Sequence, residues 1–413
     1  MDSFKGVTIC FLADKHDLYD DRIYWKMAVP MKRFGAEVHY YSIGPEADEG
    51  TTEEGIVYRV WKVKTFSKNP FVNFAIKRMN PSNNYKKLFD ACAVLKADIY
   101  HFHDLWLNRI GPGLKALPHR PAVFYDAREP YAEDYRSFSG SGRFATVIVD
   151  IFASGVDRWE KKMAMSYDRV IANESKVRNE FAKVIGEERA VVLYNYLDRG
   201  LFAADLEEVK ARANYGKLQD STKKYDLLYC GLLTEQRGAW NLMKAVRALK
   251  PTMPELKVLL LGKIQPPELR KEMQTFIIRH DLQNTIEMKA QVPHEQVGKY
   301  YEESRVGLLL WQPISSLKIK MPIKLFEYMA FGLPVIGSNF GHIAELIRKE
   351  SCGLAVDPGN LEEVVEAIES LLQKENIYEA MSNKGIEATR REYDWQKELD
   401  RLCNYYKIAL NER

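Results

Sequence analysis

The stretch 320–337, KMPIKLFEYMAFGLPVIG, is the strongest indication of the fold, because it predicts a helix, a tight turn and a buried strand in direct succession. A helix N-terminus carries unsatisfied N–H groups and about half a positive charge, so the helix start near Lys324 suits a phosphate. Glu327 follows one turn later, where its carboxylate can accept the hydroxyl groups of a ribose. The alternative is an ordinary packed helix with a solvated Glu327, since helix–strand successions are common in α/β proteins.

Composition favours two globular domains. The chain has 413 residues, of which 46% are hydrophobic, so it is long enough for two cores of ordinary size. A net charge of +3 is too mild for a nucleic-acid-binding protein. The five cysteines form no C-x-x-C pair, which favours reduced cytoplasmic thiols over disulfides or a zinc site. The apolar run 7–13 is too short to span a membrane, so we expect a buried first strand and a cytoplasmic protein.

Short apolar runs alternate with longer amphipathic stretches, which is the pattern of parallel strands covered by helices on both faces. We therefore predict a doubly wound α/β protein. The predicted strands of the first half are 7–13, 37–43, 99–103, 122–125, 169–172 and 191–193. The second half repeats the scheme with strands 227–231, 257–261, 285–288, 306–310 and 334–337, and with helices such as 239–249 and 361–373.

The polar, charged segment 198–224 lies between the two halves and predicts a linker. We thus expect a first domain over 1–197 and a second over 225–390. Parallel sheets bind ligands outside the carboxyl ends of their strands, so two facing sheets are expected to form a cleft. Functional residues are expected in the loops after the strands, such as 101–108, 126–135, 231–238 and 262–267.

The segment GLLTEQRG at 231–238 follows the first strand of the second half and places Arg237 beside a glycine at the start of the next helix. Arginine can bind a phosphate in a bidentate way that lysine cannot. The alternative is a solvated surface arginine, which is the commoner role of an arginine near a helix start.

Two motifs, GLLTEQRG and PIKLFEYMAFGLPVI, resemble those of the retaining family 4 glycosyltransferases of GT-B fold, in particular the bacterial branch that builds cell-surface polysaccharides and lipid-linked glycans. Weaker matches run in the same order along nearly the whole chain: HDLYDDRI, HFHDLW, YDAREPY, YNYLDRGLF and YDWQ. The resemblance implies two Rossmann-like, doubly wound domains facing across a cleft. It also implies that the terminal segment 391–413 crosses back to the first domain.

The resemblance assigns the motif residues to a nucleotide-sugar donor. It implies that Arg237 and Lys324 contact the donor diphosphate and that Glu327 binds the ribose. Further donor contacts are implied for backbone groups and side chains near the nucleotide, namely Gly231, Gly262, Lys263, Ile323 and Leu325. No essential metal or other cofactor is implied.

Three positions depart from the family pattern and concern the donor sugar. Ile319 stands where family members often carry a glutamate that contacts sugar hydroxyls, and Leu232 stands where many carry an arginine. Arg128 replaces a histidine that commonly lies near the sugar. Arg128 either offsets charge on the leaving group or pairs internally with Asp126 or Glu129.

His101, His103 and Asp104 place three potential metal ligands within four residues, and on a strand the two histidines share one face. No second cluster of suitable spacing completes a metal site. Two interpretations stay open for these residues, a buried strand end and a role on the acceptor side. Our candidates for catalysis are Arg237, Lys324, Arg128, His103 and Asp104.

The stretch 59–87 contains eight basic residues, interleaved aromatic residues and no acidic residue. This composition suits an anionic membrane surface, where each basic group contributes on the order of 1 kcal/mol. The alternative is a solvated face that covers a hydrophobic loop. A membrane contact here would make the protein peripheral on the inner face of the cell membrane.

The sequence predicts a metal-independent, retaining transfer of a hexosyl or N-acetylhexosaminyl group from a nucleotide diphosphate sugar to a glycan or lipid-linked glycan in cell-envelope polysaccharide biosynthesis. UDP-sugars are favoured as donors over GDP-sugars. Two alternatives stay open: a non-catalytic nucleotide-sugar-binding partner of another transferase, and a nucleotide-sugar epimerase of the same fold. A nicotinamide dehydrogenase and a hydrolase are disfavoured, because no G-x-G-x-x-G follows the first strand and no G-x-S-x-G occurs.

Overall fold

The computed structural model describes residues 3–14, 16–62, 83–137, 143–200, 202, 216–219, 222–293 and 296–413. The chain divides into two compact units. Unit 1 comprises Met1–Asn195 with Gln396–Arg413, and unit 2 comprises Tyr196–Trp395. Most of the predicted linker 198–224 lies outside the described residues.

Unit 1 contains eight strands: β1 (Thr8–Asp14), β2 (Glu37–Gly44), β3 (Asp48–Thr51), β4 (Val57–Lys62), β5 (Ile99–His103), β6 (Ala122–Ala127), β7 (Arg169–Ala172) and β8 (Ala190–Val192). They form one sheet in the order β3-β4-β2-β1-β5-β6-β7-β8. Each neighbouring pair is parallel except β3 with β4. The helices of this unit are Asp21–Ala28, Val29–Arg33, Asn83–Leu95, Leu105–Arg109, Gly111–Lys115, Tyr131–Ser137, Arg143–Ala164 and Ser175–Ile185.

Unit 2 contains six strands: β9 (Tyr225–Cys230), β10 (Val258–Leu261), β11 (Ile286–Lys289), β12 (Ser304–Leu309), β13 (Val335–Ser338) and β14 (Gly353–Val356). Their order is β11-β10-β9-β12-β13-β14, and every pair is parallel. The helices of this unit are Ala239–Leu249, Pro267–Arg279, Val297–Glu302, Ser315–Ile319, Ile323–Ala330, Gly341–Glu350, Leu361–Gln373 and Glu375–Arg391.

The last helix, Trp395–Asn411, belongs to unit 1 from Gln396 onward. It packs against the sheet through Tyr406, whose ring is fully buried and lies 4.9 Å from the ring of Phe124 on β6. The tyrosine hydroxyl also hydrogen-bonds Nδ1 of His101 on β5. Residues far apart in the chain thus share one core.

The predicted doubly wound α/β class is confirmed, and each of the eleven predicted strands is present with ends shifted by at most two residues. Three strands were not predicted, namely β3, β4 and β14. Strand β4 occupies the start of the basic stretch 59–87, of which residues 63–82 lie outside the described part of the chain. Among the described residues, no helix has both the length and the apolar character needed to cross a membrane.

Candidate active site

The strand order in the sheet of unit 2 reverses between β9 and β12. Strands β10 and β11 lie on the β9 side of this point, and strands β13 and β14 lie on the β12 side. Ligands of parallel sheets bind at such a point, beyond the carboxyl ends of the strands. Here the loops after the two strands touch, because the backbone N–H of Gln312 donates to the carbonyl oxygen of Gln236 at 2.7 Å. Gly238 has a φ of +89°, and a Cβ at this position would lie 2.0 Å from the carbonyl oxygen of Leu310. The contact therefore requires glycine.

Arg237 projects from this loop, and its immediate surroundings fix the guanidinium. The group lies 5.3 Å from the ring centroid of Trp311, a cation–π contact, and its NH1 donates to the carbonyl oxygen of Leu232 at 3.4 Å. The hydroxyl of Ser338 donates to the Trp311 carbonyl at 2.7 Å and holds that backbone in turn. A cation held by its surroundings in this way is preorganised to bind an anion.

A pocket of about 410 Å³ opens beside the same loop at the carboxyl ends of β9, β10 and β11. Its lining includes two positive-φ glycines, two lysines and two glutamines: Gly231, Gly262, Lys263, Lys324, Gln265 and Gln291. A Cβ on Gly262 would lie 2.2 Å from the carbonyl oxygen of Gly231, so the two strand ends can meet only at glycine. The predicted donor residues Gly231, Gly262, Lys263 and Lys324 thus share one pocket.

Lys324 and Glu327 lie on the helix Ile323–Ala330 and contact each other. Nζ of Lys324 donates to Oε2 of Glu327 at 2.6 Å, and the glutamate is 1% exposed. A buried, paired carboxylate rules out the solvated Glu327 of the alternative interpretation. At the helix start, the N–H of Leu325 donates to the carbonyl oxygen of Pro322 at 3.1 Å. This N–H is thus engaged within the first turn of the helix, and the contact of Leu325 with the donor stays a prediction.

A third residue, Tyr301, joins this pair although the sequence did not indicate it. Its hydroxyl donates to Oε2 of Glu327 and accepts a hydrogen bond from Nζ of Lys324 at 3.1 Å. The hydroxyl also lies 3.5 Å from Sγ of Cys230 at the end of β9. Burial, Cys230 and Glu327 raise the pKa of Tyr301 well above its usual range, so the hydroxyl stays protonated.

Unit 1 contains a buried charged group at the corresponding edge of its own sheet. Nε of Arg22 donates to Oδ2 of Asp126 at 2.9 Å, and the two side chains are 1% and 0% exposed. Nδ1 of His103 lies 3.4 Å from the same oxygen. His103 is itself 0% exposed, which favours the buried strand end of the two interpretations, and its part in catalysis stays a prediction. Its place behind Asp126 gives it at most a positioning role.

This buried group changes the set of residues that could bind a metal ion. The three side chains whose ligand atoms lie within 4.8 Å of one another are His101, His103 and Asp126, and Asp104 is not among them. The two imidazoles are stacked with centroids 4.5 Å apart, and burial lowers the pKa of each. Arg22 already supplies a positive charge to Asp126, and a metal ion bound beside the guanidinium would be repelled by it.

A second, more accessible polar cluster lies in the loops after β1, β5 and β6. His16 joins Asp20 and Asp104 through contacts of 3.1 and 2.9 Å, and Arg128 donates to Asp20 at 3.3 Å. The hydroxyl of Tyr131 donates to Asp104 at 3.1 Å. Arg128 therefore pairs with Asp20, a partner that our two interpretations of this residue did not name, and its role at a leaving group stays a prediction.

The charges in this cluster support one another. Burial opposes the charge on His16, but hydrogen bonds to Asp104 and Asp20 outweigh it and raise the pKa of His16 to about 9. Despite their burial, the pKa values of Asp20 and Asp104 are held below the usual range by Arg128 and His16. Asp104 has a φ of +78°, which is rare outside glycine and concentrates at functional sites.

Residues 212–388 match the family model described as glycosyl transferases group 1. Along nearly the whole length, the chain is 23% identical to an uncharacterized glycosyltransferase of Methanocaldococcus jannaschii, with 93% of each chain covered. The region 212–388 thus resembles the glycosyl transferases of group 1. The chain is also 22% identical over 60% of its length to the GDP-mannose:cellobiosyl-diphosphopolyprenol alpha-mannosyltransferase of Xanthomonas campestris, of which 60% is covered.

The fold of the chain is that of known GT-B enzymes. Anabaena HepE, solved in complex with UDP, superposes with a TM-score of 0.69 at 14% identity and covers 97% of this chain and 100% of its own. The sucrose-phosphate synthase of Thermosynechococcus elongatus superposes with a TM-score of 0.71 at 14% identity, and the shares covered are 98% and 100%. The resemblance predicted from the two sequence motifs is thereby confirmed at the level of family and fold.

All the predicted donor residues lie in the matched region 212–388. Two residues of the candidate site were missed by the sequence, Tyr301 and His16. Tyr301 is one of 23 tyrosines, and nothing in its local sequence marks it. His16 belongs to the quoted segment HDLYDDRI, so its position after the first strand is the signal that could have found it.

Proposed function

We propose that the chain is a retaining, metal-independent family 4 glycosyltransferase that transfers a hexosyl or N-acetylhexosaminyl group from a nucleotide diphosphate sugar to a glycan or lipid-linked glycan. The observation that carries the proposal is the pocket of unit 2, where Lys324 and the backbone of Gly231 and Leu232 meet beside Arg237 and Glu327. Lys324 lines this cavity, while Arg237 and Glu327 contact its lining residues Leu232 and Lys324; two cations and a buried carboxylate so placed suit the diphosphate and ribose of such a donor.

In the proposed reaction, the bond between the anomeric carbon and the diphosphate oxygen breaks while a bond to the acceptor oxygen forms on the same face of the sugar. The acceptor proton passes to the departing diphosphate, which removes the need for a separate protein base. Negative charge grows on the diphosphate as the bond breaks, so Arg237 and Lys324 stabilise the transition state more than the ground state.

UDP is the favoured nucleotide of the donor, and GDP is the second candidate. HepE was solved with UDP, whereas the Xanthomonas relative is named for GDP-mannose. The relative's name also gives a diphosphopolyprenol-linked acceptor, which supports an acceptor of the lipid-linked class in cell-envelope polysaccharide biosynthesis. The acceptor side is proposed to use the accessible cluster of Asp104, Arg128 and His16 in unit 1.

Contact with the inner face of the cell membrane through 59–87 is part of the proposal. Its described portion contains the exposed Lys86 and Lys87 and a stack of Arg59 over Trp61 at 5.1 Å. The unpredicted strand β3 places Glu49 3.0 Å from Arg59, however, so acidic groups partly neutralise the basic stretch.

The first experiment is calorimetric binding of UDP-, GDP- and other nucleotide sugars to the wild type, Arg237→Ala, Glu327→Ala and the control Arg279→Ala, whose exposed arginine lies on another helix of unit 2. One donor should bind the wild type and the control alike and be lost or weakened in both site variants. With an acceptor, Arg237→Ala should lower turnover about 100- to 1,000-fold. Nuclear magnetic resonance of the product should show retained anomeric configuration, with EDTA leaving the rate unchanged.

A non-catalytic partner role is favoured by Ile319 and Leu232, which replace polar groups of the family pattern. Tight donor binding with no turnover across polyprenyl diphosphate glycans would support that role and contradict ours. An epimerase would convert the donor sugar with no acceptor present. Failure of every nucleotide sugar to bind the wild type would contradict all three functions.

A further inference from the structure

The carboxylate of Glu327 is held at one oxygen only. Within the described part of the chain, both hydrogen bonds to this carboxylate, from Tyr301 and from Lys324, end on Oε2. A carboxylate has about four acceptor positions on two oxygens. Oε1 is therefore the atom that the protein leaves to a ligand, and its direction depends on how firmly Oε2 is held.

The two side chains that donate hydrogen bonds to Oε2 differ in how firmly they are held in place. Lys324 has a long side chain that is 22% exposed and lines the pocket, where a diphosphate would attract it. The Tyr301 ring is fully buried, with Tyr328 and Phe331 at centroid distances of 5.7 and 5.1 Å. A ring enclosed in this way presents its hydroxyl at one place whether or not a ligand is bound.

We propose that Tyr301 is the positioning residue of the donor site: its hydroxyl fixes Oε2 of Glu327 so that Oε1 faces the ribose, while Lys324 exchanges Glu327 for the donor diphosphate. This inference rests on the proposed function, because it needs a nucleotide in the pocket. It assigns the helix Val297–Glu302 a part in ribose recognition that neither sequence motif contains.

The test measures ribose recognition separately from overall affinity. The dissociation constants of UDP and 2′,3′-dideoxy-UDP are determined calorimetrically, and the ratio of the dideoxy-UDP constant to the UDP constant reports the contacts of the ribose hydroxyls. GDP and its dideoxy analogue replace these nucleotides if the wild type binds guanine nucleotides. Two hydrogen bonds to a carboxylate should give the wild type a ratio of about 100 to 10,000. Tyr301→Phe should lower the ratio at least fivefold and change the affinity for the dideoxy nucleotide less than twofold.

Two further variants distinguish positioning from general damage. Tyr300→Phe removes the hydroxyl of the neighbouring tyrosine and should leave the ratio unchanged. The centroid of the Tyr300 ring lies 5.1 Å from Nζ of Lys289. In a Glu327→Gln background, Tyr301→Phe should have no further effect on the ratio, because the positioned carboxylate is absent. An unchanged ratio in Tyr301→Phe would overturn the inference.

Lys324→Met supplies an independent measurement that does not require Tyr301→Phe to fold. This variant should weaken binding of both nucleotides and keep their ratio within twofold of wild type. A lost ratio in Lys324→Met would make the lysine the residue that holds the carboxylate and overturn the proposal. If the wild type binds neither nucleotide pair, the proposed function fails, which is a different outcome from a bound nucleotide with an unchanged ratio.

Discussion

Substituting Arg22 by methionine tests the buried charges of unit 1 directly. The guanidinium donates to Asp126 at 2.9 Å and to the carbonyl oxygen of Leu193 at 3.1 Å. Methionine fills much of the same volume but leaves Asp126, which is 0% exposed, without its cation. Removing one partner of a buried ion pair costs about 3–5 kcal/mol of unfolding free energy. For a unit of this size, each kcal/mol corresponds to about 2–4 °C, so the melting temperature should fall by about 6–20 °C.

The loss should depend on pH in a defined direction. Burial alone would raise the pKa of Asp126, but Arg22 and His103 outweigh it and hold that pKa well below its usual range. Without Arg22, a proton on His103, whose Nδ1 lies 3.4 Å from Asp126, is the nearest replacement for the lost charge. Arg22→Met should therefore be less destabilised at pH 5.5 than at pH 8, relative to the wild type at each pH.

Differential scanning calorimetry and urea unfolding at the two pH values measure these effects. The double variant Arg22→Met/Asp126→Leu should recover most of the lost stability, because it removes both buried charges. Arg59→Met, which breaks an exposed pair with Glu49, is the control and should change stability by less than about 1 kcal/mol. A single variant as stable as the wild type, or a double variant no better than the single one, would refute the reasoning.

Three further predictions concern other parts of the chain. Since the folded pKa of His16 is raised to about 9, its stabilising contribution is complete below about pH 6.5 and is lost as the pH rises towards 9; His16→Gln should flatten this part of a pH–stability curve. Burial raises the pKa of Glu160 to about 8, so the wild type loses stability between about pH 4.5 and pH 8. Glu160→Gln should raise the free energy of unfolding at pH 8 by about 2–4 kcal/mol and leave it nearly unchanged at pH 4.5. Equal effects at the two pH values would contradict this prediction. Gly262→Ala should weaken nucleotide binding at least tenfold, since its Cβ meets the Gly231 carbonyl, whereas Gly155→Ala, with open space around its Cβ, should raise the melting temperature slightly.

Strands with a continuous, mainly apolar run were predictable, whereas β3, β4 and β14 were not. β5 and β6 are buried along their whole length and are mostly apolar, with His101, His103 and Asp126 as the polar exceptions. All four residues of β3 are exposed, so no hydrophobic pattern could reveal it. β14 begins at Gly353, where a Cβ would lie 1.9 Å from the carbonyl oxygen of Val335, and this close approach depends on a strand that is distant in the sequence.

The candidate site was predictable where a local motif encodes it. Glu327 and Lys324 are three residues apart on one helix, and Arg237 lies in a loop between two elements, so short segments were sufficient. The partners of these residues come from other elements, as the contact between Tyr301 and Glu327 shows. Our prediction assigned Arg128 either to the leaving group or to its sequence neighbours Asp126 and Glu129, whereas the fold pairs it with Asp20 from the loop after β1.

The glycine contacts at the carboxyl ends of β9, β10 and β12 fix the strand ends beside the pocket of unit 2, whereas the loops around the pocket can vary in sequence. Gly231 with Gly262, and Gly238 with Leu310, meet backbone to backbone, so no side chain can be added without moving a strand end. Gln265, Gln291 and Val292 line the same pocket through loops that carry no such restriction. Under the proposed function, diversifying these three positions while keeping the glycines should change the nucleobase preference and preserve the backbone framework of the pocket.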